Sequence, residues 1–332
     1  MTSSDERSPK LRRRLFWLAA LLVVLFAAYS GGWFYLADRL KTEADQAVAR
    51  LGSKGIAAGC ANLAVSGYPM SFTVSCDNIA YEDDARKVAA STGSFNAVAG
   101  IAEPLSPVAD LRGPLRTMAP GMPPLWIDWD RLQANVKVWW PLPRSVSVQA
   151  EGLNGQTDPQ DDTDPMQLFS AGKAAGQLQP AGQDINYVGS FGDLEINADA
   201  IDGRALPALD GSGDVTLKNG VALMAAPPKS LRGQSIEIAK LDLSSGTACI
   251  IVSGPVSVDA EGLVNGDLTI KLKDPKAVAS ILAGAVPEHK SEIEQGFAAI
   301  AMLGKEPSLP LKIVKGKASL GFIPLGKIKP LE

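Results

Sequence analysis

The sequence predicts an α+β protein, mainly β, in which an N-terminal transmembrane helix precedes a large antiparallel, curved sheet with repeated hairpins and a few packed helices. Three observations predict this fold class. An uncharged apolar run of 22 residues lies near the N-terminus, and apolar and polar residues alternate with period two in several later segments. The composition is also rich in turn residues, with 32 Gly and 23 Pro, which favours many short strands.

We predict that the apolar run, Leu15 to Leu36, crosses a membrane. As a helix it spans roughly 33 Å, enough for a hydrocarbon core of about 30 Å. Four basic residues directly precede it: Lys10, Arg12, Arg13 and Arg14. Because such flanks stay in the cytoplasm, we expect a cytoplasmic tail (1–14), an anchor (15–36) and an exported β-rich domain (37–332). The protein would be single-pass in a bacterial inner membrane, with its N-terminus cytoplasmic and its main domain periplasmic.

A cleaved signal peptide is the alternative, since Ala28-Tyr29-Ser30, with small residues at its first and last positions, resembles a cleavage site. The apolar run nevertheless continues through Trp33 to Leu36, and aromatic residues are typical of the outer membrane interface. We therefore favour an anchor over cleavage, and both interpretations export the domain.

Helical spacing of apolar residues continues beyond the anchor and predicts a helix that ends at Gly52. The apolar residues that recur at this spacing are Leu36, Leu40, Ala44, Ala47, Val48 and Leu51. This helix would lead directly into the sheet.

Two of the three cysteines, Cys60 and Cys76, flank a predicted hairpin with the turn Gly67-Tyr68-Pro69. A hairpin folded symmetrically about Tyr68 places them opposite one another, at a distance that a disulfide can bridge. An oxidising compartment would keep that pair oxidised, whereas two unrelated buried thiols remain the alternative. The third, Cys249, is most simply a small buried hydrophobe.

Later segments predict strands, helices and two irregular excursions. Alternation predicts strands at 70–76, 132–140, 256–258 and 268–272, and a closing hairpin at 309–322. Asp274-Pro275 is a favourable helix start, and a second helix is expected from about Glu288 to Gly304. Segments 102–124 and 154–183 lack clear alternation and are expected to be irregular.

An internal repeat relates residues 146–155 to residues 256–266, which share Val-Ser-Val and Ala-Glu-Gly-Leu. We interpret it as one structural unit used twice, which predicts two repeat-related halves at about 37–183 and 184–332.

Charge and residue types argue against several function classes. Residues 15–332 hold 27 basic and 34 acidic side chains, a net charge of −7, so nucleic acid is not an expected partner. The single histidine, His289, lies at a predicted helix start without residues to complete a triad or a zinc site. We therefore expect no catalytic activity, no cofactor and no metal.

The densest carboxylates are those of an acidic segment: Asp158, Asp161, Asp162 and Asp164. Alternating acids can bind Ca²⁺, but the turn glycine and the terminal glutamate of an EF-hand loop are missing. A solvated loop is the favoured interpretation.

Four of the six tryptophans fall within 15 residues: Trp126, Trp129, Trp139 and Trp140. They are candidates for contact with an apolar ligand or with the membrane, and ordinary core packing is the alternative. Trp139 and Trp140 are adjacent, so on a strand they would face opposite sides.

The sequence resembles an uncharacterised family of Gram-negative envelope proteins, known only as a domain of unknown function. The resemblance depends on the N-terminal anchor, the Gly67-Tyr68-Pro69 hairpin between Cys60 and Cys76, and the glycine-punctuated ending at 321–326. The anchor with repeated β-hairpins is more distantly similar to the AsmA and TamB group, whose β-grooves are associated with lipid transport. The resemblance brings no catalytic residues.

We therefore expect a non-enzymatic protein anchored in the lipid bilayer through Leu15 to Leu36. Its sheet would bind lipid or another apolar envelope component. The alternative function is a structural or assembly partner of other envelope proteins, recruited through edge strands.

Overall fold

The computed structural model describes residues 9–52, 56–158, 164–225, 230–321 and 323–331. These residues form an open, curved antiparallel sheet, a long N-terminal helix and a few shorter helices, which confirms the predicted fold class. The helices are α1 (Pro9–Gly52), α2 (Gly220–Ala225), α3 (Pro275–Ala285) and α4 (Lys290–Ala301), with 3₁₀ turns at Ala198–Ile201 and Pro287–His289.

The first half of the sheet consists of long strands that are each broken once near the middle. The resulting segments are β1 (Ile56–Cys60), β2 (Ala64–Ser66), β3 (Ser71–Cys76), β4 (Ile79–Asp83), β5 (Val88–Thr92), β6 (Phe95–Gly100), β7 (Val108–Leu111), β8 (Leu115–Met118), β9 (Leu125–Asp128) and β10 (Arg131–Lys137). β1 pairs with β4 while β2 pairs with β3, and β3 pairs with β6 while β4 pairs with β5. The same alternation continues through β10, so each successive pair forms one bent strand of an up-and-down meander.

The meander then continues through unbroken strands. These are β11 (Ser145–Thr157), β12 (Gln167–Ala181), β13 (Asp184–Ile196), β14 (Leu209–Leu217), β15 (Ser235–Ser245), β16 (Ala248–Val258), β17 (Val264–Lys273), β18 (Ser308–Val314), β19 (Lys317–Leu320) and β20 (Ile323–Lys327). β11 pairs with both β9 and β10 on one side and with β12 on the other. The β12–β13 hairpin crosses the predicted boundary at 183/184, so the two segments share one sheet.

The strands of the meander begin and end at two opposite sides of the sheet, which we name the proximal end and the distal end. The proximal end carries the loops 67–70, 101–107 and 138–144, each of which joins two long strands. The distal end carries α3 and α4, because β17 runs away from the proximal end and leads into α3. We use these two names below.

Helix α1 contacts β1 and β2 at the edge of the sheet. Its buried side chains are Trp33 and Ala37, one helical turn apart, whereas Leu36 and Leu40 are exposed and Ala44 is half-buried. The helix ends at Gly52, as predicted. The side chains of residues 47, 48, 51 and 52 lie outside the described set.

The apolar part of α1 is exposed. Arg13–Gln46 is long and apolar enough to cross a membrane by length and composition, a property that a signal sequence near the N-terminus shares. Residues 33–52 of α1 run along β2 and β1, away from the proximal end and toward the start of β1. The residues before Tyr29 therefore extend beyond the proximal end.

The helices α3 and α4 cover part of the C-terminal sheet. Asp274 caps α3 as predicted, because its carboxylate accepts a hydrogen bond from the Ala277 amide, and Pro275 occupies the first turn. Val278 and Ile300 pack on Ala248 and Leu272 of the sheet. The second predicted helix ends at Ala301 and not at Gly304, and its Leu303 is exposed.

Both predicted irregular segments contain strands. β7 and β8 lie within 102–124, and β12 with the end of β11 lies within 154–183. The prediction was wrong because β12 carries Ala, Gly and Ser where larger apolar residues would show a period. The closing hairpin at 309–322 is confirmed by β18 and β19.

The two copies of the repeat adopt different conformations. In the first copy Gly152, with φ +63°, lies within the continuous strand β11, whereas in the second copy Gly262, with φ +84°, lies in the turn between β16 and β17. Asp259 closes that turn, since its carboxylate accepts hydrogen bonds from the amides of Glu261 and Leu263. The first copy has Gln149 at the corresponding position.

Candidate functional site

An apolar groove of about 630 Å³ crosses one face of the sheet from β11 to β16. Cross-strand pairing builds it from two neighbouring rows of residues. The rows are Val148, Gly176, Gly189, Gly213, Leu241 and Val252, and Ala150, Ala174, Phe191, Gly211, Leu243 and Ile250. Six strands at about 4.8 Å spacing give the groove a length of roughly 24 Å.

Small residues in the middle of each row create the depression. Tyr187 lies against Gly189, and Phe191 lies against Gly211, so that a Cβ atom at either glycine would overlap an aromatic ring. The aromatic side chains therefore lie along the sheet and leave the space above it open. The groove exists because these two rows carry large residues on β15 and β16 but mostly glycine and alanine on β12 to β14.

The groove is apolar but not filled. Four of its side chains, Val148, Tyr187, Leu241 and Leu243, are each between 38% and 44% exposed. A volume of this size and lining is typical of sites for small apolar ligands. The arrangement can remove apolar surface of a ligand from water, which is binding rather than chemistry.

Among the described residues that line the groove, the one charged side chain, that of Asp242, is already paired. Asp242 accepts from Lys240 at 2.9 Å, and this hydrogen bond raises the pKa of the lysine. The buried thiol of Cys249 is 3.7 Å from Asp242, and burial is the main cause that raises its pKa. This thiol is thus protonated at neutral pH and not an activated nucleophile.

At its distal end the groove meets a smaller apolar space beneath α3. That space, about 220 Å³, shares Leu243 and Ile250 with the groove and reaches Val278, Ile281 and Leu282. At the other end, Val148 and Tyr187 lie three residues or fewer from the proximal ends of β11 and β13. The apolar path therefore runs from near the proximal end to α3.

The four predicted tryptophans do not form one site, and none of them lines the groove. Trp126 lies on β9 with the Arg116 guanidinium 4.4 Å from its ring centroid, and the Trp129 indole donates to the Leu111 carbonyl at 2.8 Å. Both are half-buried. The strand predicted over 132–140 ends at Lys137, so Trp139 and Trp140 lie in the proximal loop 138–144, and both are exposed.

A second feature is the junction between α1 and the β2–β3 hairpin. The Trp33 indole donates to the Ser71 carbonyl at 3.1 Å and its ring stacks on Phe72 with a centroid distance of 5.2 Å. Phe34 stacks on Tyr68 at 5.4 Å. One turn earlier, the Tyr29 hydroxyl donates to the Pro69 carbonyl.

The cysteines Cys60 and Cys76 form a disulfide with Cα atoms 5.5 Å apart, which confirms the predicted pair as disulfide-compatible. The register behind that prediction was wrong. Val65 pairs with Val74, which centres the hairpin between Pro69 and Met70 rather than on Tyr68. Cys60 still reaches Cys76 because residues 61–63 form a turn at the break between β1 and β2. The disulfide therefore links β1 to β3, at the level where both bent strands are broken.

Other predicted candidates do not form a site in the described part of the chain. His289 is exposed at the end of a 3₁₀ turn, beside Glu288, which pairs with Arg204 at 3.0 Å. Within the described ranges no group of three His, Cys, Asp or Glu side chains is arranged to hold a metal ion. Asp158 and Asp164 lie in that range, whereas Asp161 and Asp162 lie outside it.

Sequence reasoning missed the groove residues. The available signal was a run of Gly, Ala and Ser in 170–176 and 189–192, together with Gly211 and Gly213. These small residues become a depression only when pairing aligns them across three strands.

The comparisons with known proteins support the predicted resemblance. No curated protein matches this chain. The model of a family described as uncharacterized protein conserved in bacteria (DUF2125) matches residues 33–329, from the buried Trp33 to the end of the sheet. The likeness to the AsmA and TamB group remains a prediction, and the chain belongs to the DUF2125 family of uncharacterised bacterial proteins.

Proposed function

We propose that this protein is an inner-membrane-anchored periplasmic protein that binds a lipid, or another apolar component of the cell envelope, in the groove. The observation that carries the proposal is the continuous apolar path from Val148 and Tyr187 to the space beneath α3. The site offers apolar surface and no activated nucleophile, so the proposed role is non-catalytic.

The junction supports an anchor over a cleaved signal peptide. Cleavage after Ser30 would remove the Tyr29 hydrogen bond to Pro69 and the contact between the hydroxyls of Ser30 and Tyr68 at 2.7 Å. A segment that is discarded gains nothing from specific contacts with the mature domain. We therefore propose that α1 is retained, with residues 1–14 in the cytoplasm.

The energy available from the groove is moderate. Burying an apolar side chain fully is worth about 2 kcal/mol, so covering a side chain that is two-fifths exposed contributes roughly 0.8 kcal/mol. Four such side chains give about 3 kcal/mol, to which the buried surface of the ligand itself adds about 0.8 kcal/mol per CH₂. An acyl chain of ordinary length is the class of ligand for which these terms become large.

Photo-crosslinking of the full chain in its native membrane tests the proposal. Benzoylphenylalanine would replace Tyr187 in the groove or, as a matched control, Val188 on the opposite face of β13. The two side chains are 44% and 51% exposed, so exposure does not distinguish them. We expect a lipid-mass adduct at position 187 that is absent at 188 and is reduced by Ala174→Leu, which fills the groove. Equal adducts at both positions, or none at 187, would contradict lipid binding.

The second candidate function is a structural or assembly partner, and β20 is the observation that favours it. β20 pairs with β19 and ends the described meander, which leaves one side of its backbone available for another strand. Pro324 within β20 lacks an N–H and weakens this edge as a template. A protein adduct at position 187, or a stable complex in crosslinking pulldowns, would favour this alternative.

A further inference from the structure

We infer that the proximal end of the sheet is a membrane-contact surface, which enters the outer interface of the bilayer that α1 spans. This inference goes beyond ligand binding in the groove and rests on the proposed retention of α1 as an anchor. The surface, called the proximal rim here, consists of exposed apolar side chains from three loops: Tyr68, Met70, Ile101, Leu105, Trp139 and Trp140.

The length of α1 places the rim at membrane depth. Residues 15–28 extend beyond the sheet and span about 21 Å, whereas a hydrocarbon core is about 30 Å thick. The missing 9 Å or so corresponds to about six residues, which are residues 29–34. Four residues of this stretch contact the hairpin, namely Tyr29, Ser30, Trp33 and Phe34, so the hairpin tip lies at the same depth as the end of the span.

The rim is continuous across the three loops. The Ile101 amide donates to the Met70 carbonyl at 3.1 Å, which joins loop 101–107 to the hairpin. The Val138 amide donates to the Leu105 carbonyl at 2.7 Å, which joins loop 138–144 to loop 101–107. The three loops therefore present one apolar patch, and α1 contacts this patch at the hairpin tip.

The exposure of the rim is unfavourable in water. Met70 is 75% exposed and Trp140 is 88% exposed, although both are large apolar residues at loop tips. Contiguous exposed apolar patches mark interaction sites. A bilayer is the occupant that the structure favours, because the apolar helix that continues from this end is itself a membrane span.

Charge next to the rim also fits a lipid surface. The Arg144 guanidinium lies 4.0 Å from the centroid of the Trp139 ring, and the Arg144 amide donates to the Lys137 carbonyl at 2.8 Å. Tryptophan beside basic residues is typical of the membrane interface, where the ring enters the apolar edge and the cation contacts phosphate. The loop with Trp140 leads directly into β11, where Val148 begins the groove, so the rim lies beside the proximal end of the apolar path.

The test uses the full chain in nanodiscs of phosphatidylethanolamine and phosphatidylglycerol that contain a fluorescent phospholipid. Benzoylphenylalanine would replace Met70, Trp140 or Met302 in separate variants. Met302 follows α4 at the distal end and is also 88% exposed, which makes it a matched control for Trp140. All three positions are exposed, so the variants should fold, and formation of the Cys60–Cys76 disulfide checks this.

We expect fluorescent lipid adducts at positions 70 and 140 and no adduct at position 302. Equal labelling at 140 and 302, or labelling at neither rim position, would overturn the inference. Flotation of the same samples distinguishes the inferred rim contact from the proposed anchor. A chain that floats with the nanodisc lipid but is not labelled at the rim refutes the rim alone, and a chain that does not float refutes the anchor as well.

Discussion

Replacing Trp33 with alanine should release the hairpin from helix α1. Trp33 is 5% exposed, stacks on Phe72 and donates to the Ser71 carbonyl, so its removal takes away both packing and a hydrogen bond. Truncating a buried Trp to Ala costs about 3 to 5 kcal/mol, and we take about 3 kcal/mol because the cleft between helix and hairpin can partly close. Trp33→Phe keeps the stacking and should cost about 1 kcal/mol for the lost donor.

Hydrogen exchange of the full chain in nanodiscs measures this effect. The reporter is the hairpin, whose Ser71 amide donates to the Gly67 carbonyl at 3.0 Å. Since 1.4 kcal/mol corresponds to a factor of ten, Trp33→Ala should increase exchange in the hairpin by about a hundredfold and Trp33→Phe by about fivefold.

A matched control exists on the same helix. Trp17 is exposed in the apolar part of α1, so Trp17→Ala removes an equal side chain without a contact to the sheet. If Trp33→Ala leaves hairpin exchange unchanged relative to Trp17→Ala, the junction is not held by Trp33 and the reasoning fails.

Three further predictions concern stability and reactivity. Replacing Cys60 and Cys76 by alanine opens a loop of 16 residues and should lower the free energy of unfolding by about 3 kcal/mol, measured by denaturant titration against the oxidised protein. The pKa of Asp274 lies below its usual value because the Ala277 amide donates to the carboxylate, so this charge stabilises the fold above the unfolded-state pKa and stops doing so as the pH falls through the lower folded value. Asp274→Asn should therefore have a lower melting temperature than the parent protein at neutral pH. If the melting temperature is lowered equally in strong acid, the prediction is contradicted. Burial raises the pKa of Cys249, so iodoacetamide should modify this thiol slowly in the folded protein and rapidly after unfolding. Intact-mass spectrometry measures both rates, and rapid alkylation of the folded protein would count against burial of the thiol.

Features with strong local signals could be predicted from the sequence. The apolar run and its helical continuation predicted α1, and Asp274-Pro275 predicted the start of α3, because both depend on residues close together in the chain. The pairing of Cys60 with Cys76 was also predicted, although from a hairpin register that the structure does not have.

Features that depend on pairing between strands could not be predicted. The turn at 61–63 and the similar breaks in the following strands leave no periodic signal, since each half-strand is only three to seven residues long. The groove requires small residues on three strands to align with large residues on two others. A single strand such as β12, with Ala and Gly on both faces, carries no sign of which face is the deep one.

The order of strand pairing has a consequence for how the protein is made. Each strand, bent or straight, is completed by the segment that follows it in the chain, so the native contacts of the sheet are between sequence neighbours. Chains dominated by such contacts fold quickly and propagate structure from one unit to the next. With α1 retained as the proposed anchor, the segment after α1 would be translocated first, and it could fold strand by strand against α1 while the remainder is still being translocated. The groove is complete only after β16 has paired, and the space beneath α3 only after residue 285, so the proposed ligand could bind only once most of the chain has been translocated.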